Sequence, residues 1–198
     1  MARLLRPHLL SCWHLWRWFL AHADPWGAGP PDGGAPPDGS AHTYCWGVEV
    51  YGGVNADIFD NVDAAEYNAL EGPTVVNVIF ENDCDYSGGT ETDVVWLTEN
   101  LPGSTRGSTR CEDYDNGKCD QYYASLDRVE IAEGSDDELD ETKTACHELG
   151  HTVGLTHHPN DTDWGCMRSG EPTSTALSWR RYVGNNNHHV NHINANFP

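Results

Sequence analysis

The segment Cys146-His-Glu-Leu-Gly-His-Thr-Val-Gly-Leu-Thr-His157 collects residues that can bind a divalent metal and move a proton. On a helix, two histidines four positions apart project from one face, one turn above the other, and can grip a single ion. Glu148 directly follows the first of them, which puts its carboxylate beside the metal rather than on it. From there it can take a proton from water at the metal. Gly154 can turn the chain in the left-handed region at the helix end, so that His157 reaches the same ion. Three imidazoles leave one tetrahedral position open, as catalytic zinc requires. The expected metal ligands are therefore His147, His151 and His157, with Glu148 as the base and one Zn2+ as the cofactor. His158 stands next to His157 as a rival third ligand.

The order H-E-x-x-H-x-x-G-x-x-H resembles the extended signature of the metzincin clan of zinc metallopeptidases. Gly165-Cys-Met-Arg-Ser-Gly170 resembles the Met-turn that follows it in that clan. The resemblance is strong over His147 to Gly170 and loose over Tyr44 to Pro198. It implies a zincin-like α+β domain with a small mixed sheet, an active-site helix and a C-terminal helix. It also implies that Met167, one of two methionines in the chain, forms a hydrophobic floor under the histidines without binding the metal. Among clan members the chain resembles small matrixin-like or snapalysin-like secreted bacterial enzymes. It departs from the snapalysin-like pattern in having His157 where those enzymes use Asp. Ser169 stands where astacin-like and serralysin-like members carry a tyrosine, so oxyanion stabilisation would fall mainly to zinc. If a Met-turn underlies the metal, Cys146 and Cys166 are drawn together and fasten helix to turn. Cys111 and Cys119 could then close a short loop, leaving Cys45 with Cys84, although six cysteines allow 15 pairings.

The metal segment needs a helix. Ser135-Asp-Asp-Glu138 has the form of a capping box, and Leu139, Cys146, Leu149 and Val153 follow on one face. These signals predict a helix from Asp136 to Val153, ending at Gly154. Earlier in the chain, Asn61 to Leu70 reads as a helix with Asp60 or Asn61 as cap and Gly72 beyond its end. Val48–Tyr51, Thr74–Phe80, Val94–Thr98 and Arg128–Ala132 read as strands, the second most strongly. The Gly-, Ser- and Asp-rich stretch from Asn100 to Cys119 reads as surface loop, and Thr173 to Val183 as a last helix.

Residues 1–23 have a leader's layout, with Arg3 and Arg6 before an apolar, Trp-rich stretch and Ala21-His22-Ala23 as a cleavage pattern. Its removal would take away Cys12 and leave an even set of cysteines, which in an exported chain reads as three disulfides. Residues 24–43 read as a Pro/Gly-rich linker and 44–198 as the peptidase domain. Interruptions by His8, His14 and Arg17 argue against a transmembrane helix. The 198 residues carry a formal charge of −20, which repels phosphate backbones and disfavours nucleic-acid partners.

Two further clusters carry less. Asp113-Tyr-Asp-Asn-Gly117 has part of a calcium loop, but its Gly comes one position early and Ala124 stands where the last Glu belongs. A plain acidic turn is expected, and calcium is unsupported. His188, His189 and His192 lack an accompanying carboxylate and read as surface or core-docking residues. The sequence thus points to a secreted, monomeric zinc endopeptidase acting on a peptide or protein substrate. A zinc amidase acting on a cell-wall peptide would use the same residues. A non-catalytic zinc-containing binding domain would have no use for Glu148.

Overall fold

The computed structural model describes residues 37–38, 41–50, 56–157, 165–173, 182 and 187–197. The expected leader, most of the expected linker, Cys12, His158 and nearly all of the helix expected at 173–183 lie outside these residues. The described chain is an α+β structure. Five strands, β1 (His42–Val50), β2 (Val78–Phe80), β3 (Val94–Thr98), β4 (Gly107–Asp115) and β5 (Lys118–Leu126), form one sheet in the order β2-β1-β3-β5-β4. All pairs are parallel except β4 with β5. Four α-helices accompany them: α1 (Ala56–Ala64), α2 (Arg128–Ile131), α3 (Asp137–Thr152) and α4 (His188–Asn196). A π-helical segment, Ala65–Glu71, extends α1.

β3 is central and buried throughout, which is why it reads as an unbroken apolar run. Val94 and Trp96 join the main core with Tyr44, Tyr122, Leu126 and the inner faces of α1 and α3. Val95 and Leu97 point the other way, into a smaller cluster with Cys45, where Cys84 and Tyr123 pack.

The helix expected at Asp136–Val153 is present as α3, capped by Asp136, whose side chain accepts from the Leu139 amide at 3.2 Å. Ser135 is not the cap, since the Asp136 carboxylate one residue later takes that place. Arg128–Ala132 is a helical turn rather than a strand. The Asp127 carboxylate accepts from the Val129 and Glu130 amides, and this cap outweighs the β-branched composition. Within Thr74–Phe80 only the last three residues are strand. The Thr74 amide and hydroxyl bond Leu70 O, and the Val75 amide bonds Asn194 on α4, so these groups are lost to the ladder. The Asn100–Cys119 stretch is largely the hairpin β4–β5, turned by Asn116 and Gly117 at φ 50 and 82. Left-handed Asn-Gly is a strong hairpin signal, and Asp113–Gly117 belongs to that hairpin. α1 begins at Ala56, before both expected caps: Asp60 and Asn61 lie within the helix, and Asn61 turns inward to Glu141 and Thr142 instead of capping. β1 begins at His42, inside the segment read as linker. The last described helix, α4, brings His189 into the core.

All three expected disulfides are present: Cys45–Cys84, Cys111–Cys119 and Cys146–Cys166. Among the described residues no helix is long and apolar enough to cross a membrane.

Behind β3 the buried Glu66 carboxylate accepts from Trp96 Nε1 at 3.0 Å and lies 3.3 Å from His42 Nε2. Burial pulls the His42 pKa down, but Glu66 outweighs it and the net shift is upward. A histidine raised on folding adds stability that is complete below about pH 6.5 and is lost as pH rises through its folded value. In metal-free protein, the melting-temperature gap between wild type and His42→Asn should therefore narrow from pH 6 to pH 9. A gap that widens would exclude the charged pair.

Candidate metal centre

α3 carries His147 and His151 one turn apart, with Glu148 next to the first, and Gly154 follows its end with φ 86. The Leu155 amide bonds back to Gly150 O at 2.8 Å, folding the chain so that His157 returns toward the helix. The three imidazoles converge. One ring nitrogen from each lies within 4.8 Å of the others, and His151 Nε2 stands 3.2 Å from His157 Nε2. Two nitrogens bound tetrahedrally to one zinc ion at about 2.0–2.1 Å lie about 3.3 Å apart, so the spacing fits.

The far nitrogens of the two helix residues are fixed. His147 Nδ1 is 2.8 Å from Cys166 O and His151 Nδ1 is 2.8 Å from Leu155 O. A carbonyl can only accept, so each Nδ1 carries the proton and each Nε2 presents a lone pair. Burial, reinforced by neighbouring positive charge, lowers the His147 pKa well below its usual value and that of His151 to about 4. Both rings are thus neutral and ready to ligate at ordinary pH.

Glu148 is buried beside them. Thr109 Oγ1, from β4, lies 2.9 Å from its Oε2 and 3.0 Å from its backbone carbonyl. Burial pushes the Glu148 carboxyl up to about 7, against the opposing pull of Thr109 and Lys143. Gly107, also on β4, lies so close that a Cβ there would come within 2.5 Å of Glu148 Oε1. On the other side of α3 a Cβ at Gly150 would meet Met167 Sδ at 2.2 Å. Met167 is completely buried in the turn Gly165–Met167, whose Cys166 is bonded to Cys146. Tyr182 donates from its hydroxyl to Cys146 O at 2.9 Å.

A cleft of about 740 Å³ opens over this arrangement, lined by Gly107, Lys143, Thr144, His147, Glu148 and His157, with Ser169 on its rim. No protein-family model and no curated protein matches the chain. What the site can do follows from its residues: a three-histidine group able to hold a metal ion, and a carboxyl group buried next to it.

The structure brings together every expected ligand, Glu148 and Met167. Gly107, Thr109 and Lys143 were not anticipated. The two β4 residues lay in a stretch read as loop. The Asn-Gly turn could have exposed the hairpin, but nothing local says which helix the hairpin faces.

Proposed function

We propose that this chain is a secreted zinc endopeptidase of the metzincin type. The observation that carries the reading is the convergence of three histidine nitrogens beside a buried carboxylate at the floor of an open cleft. The donor set favours zinc, since borderline-soft imidazoles in a tetrahedral arrangement suit it better than magnesium or calcium. When bound, zinc supplies Lewis acidity toward water and the scissile carbonyl.

The protein's own groups do the rest. His147 and His151 hold their lone pairs inward through fixed Nδ1 protons. Glu148, aligned by Thr109, accepts the proton of the attacking water and passes it to the leaving amine. Its burial keeps its proton affinity near neutral pH, where an acid–base group works best. The Cys146–Cys166 bond and Met167 hold the underside of the ligand helix. Three disulfides and the leader-like first 23 residues favour export.

The test is metal analysis of the purified protein with a chelator-controlled assay. One equivalent of zinc is expected, together with casein cleavage that stops on chelation and returns with added zinc. Zinc present with peptidoglycan cleaved and casein untouched would replace the endopeptidase by an amidase. Zinc present with neither substrate cleaved would leave a binding domain.

A further inference from the structure

The cleft holds a positive charge for which neither fold nor metal accounts. Lys143 lies one helical turn before His147 and lines the cleft beside Thr144 and Glu148, yet it is only 7% exposed. The chain has 31 acidic residues against 11 basic ones, so a cation here should readily find a carboxylate. The arginines nearby have done so. Arg106 is shared between Asp140, at 3.5 Å, and Glu171, and Arg128 lies 3.4 Å from Glu141. Lys143 makes no ion pair and no hydrogen bond among the described residues. The carboxylate whose charge acts on it most is Glu148, which is already held by Thr109.

Burying an ammonium without a partner is unfavourable. Setting it on the same wall as a group suited to a dication adds repulsion. A ligand that carries negative charge into the cleft relieves both. The other acids on the cleft wall do not serve: Glu171 is bound to Arg106, Glu133 is exposed, and Glu130 forms no ion pair with Lys143 among the described residues.

We propose that Lys143 is a specificity-determining residue that binds a carboxylate of the substrate close to the scissile bond. The assignment rests on the peptidase reading above and narrows its substrate class to peptides that place an anion beside the cleavage site. That anion is either an Asp or Glu side chain, as in endopeptidase cleavage, or the peptide's own C-terminal carboxylate, in which case the same site acts as a carboxypeptidase.

The experiment compares matched peptides on the zinc-loaded protein at pH 7. Asp or Glu is exchanged for Asn or Gln on each side of the cut, and free C-termini are exchanged for amides. Loss of the carboxylate that Lys143 binds should lower kcat/KM by about tenfold or more, the worth of a hydrogen bond to a charged partner. The arm that shows the loss identifies the source. In Lys143→Met the ratio between charged and neutral peptides should fall to about one, and Lys143→Arg should largely restore it. Equal cleavage of charged and neutral peptides by the wild type overturns the proposal. So does a Lys143→Met variant that slows every substrate in proportion, because that pattern belongs to a residue acting through Glu148.

Binding keeps this separate from the peptidase reading. On zinc-loaded Glu148→Gln, calorimetry should show the carboxylate peptide binding about tenfold tighter than its amide counterpart, with the gap lost when Lys143→Met is added. Equal affinities overturn the assignment even if no peptide is ever cleaved.

Discussion

Replacing Glu148 with glutamine should leave one zinc bound per chain and lower kcat by a factor on the order of 10²–10⁴, the usual contribution of a positioned acid–base group. Glu148 is not among the three residues whose nitrogens converge, so the metal loses no ligand. Glutamine has the same shape and keeps an oxygen able to accept from Thr109, but it cannot carry the proton. Stability should change in the opposite sense to activity. Burial raises the Glu148 carboxyl to about 7 in the fold, above the ordinary carboxylate value of about 4.3. The folded state therefore favours the protonated form, and the stability linked to it is lost as pH rises through about 7. A neutral glutamine removes that loss, so metal-free Glu148→Gln should melt no lower than wild type at pH 8. Undiminished activity in the variant would reject Glu148 as the base, and loss of zinc would make it a ligand.

The second large effect is expected at the bond behind the site. Replacing Cys146 and Cys166 together by alanine should destabilise the fold by about 3 kcal/mol, the scale for freeing a closed loop of this size. The two cysteines are 20 residues apart, and the loop they close contains His151 and His157. Zinc affinity should fall as well, by about 10–100-fold, because Cys166 supplies the carbonyl that orients His147. Denaturant unfolding measures the first effect, and competition with a chromogenic chelator the second. Lower stability with unchanged zinc affinity would show that the bond supports the fold without tuning the ligand.

What was readable in the sequence differs sharply between the two halves of the site. The ligands are local: one helix, one left-handed glycine and a short return place His147, His151 and His157, and each step has a signal within a few residues. The helix itself was legible because its cap and its apolar face agree. The opposite wall was not. Gly107 and Thr109 reach Glu148 only because β4 pairs with β5 and the hairpin then packs against α3. That pairing is a fact of tertiary structure hidden beneath a polar, glycine-rich composition. Arg128–Ala132 failed for a related reason, since one side chain at Asp127 decided the backbone against the propensity of its neighbours. The burial of Lys143 was invisible as well. Nothing in Glu141-Thr-Lys-Thr144 distinguishes a solvated lysine from one turned into a cleft.

The hydrogen bond from Thr109 to Glu148 spans 39 positions, whereas the three histidines occupy a single short stretch of chain. Closing a long loop costs more entropy than closing a short one, and distant strands pair late. The two halves of the site therefore rest on different parts of the fold. The three histidines are gathered within one short stretch of chain, whereas the carboxylate is held only where the β4–β5 hairpin docks against α3.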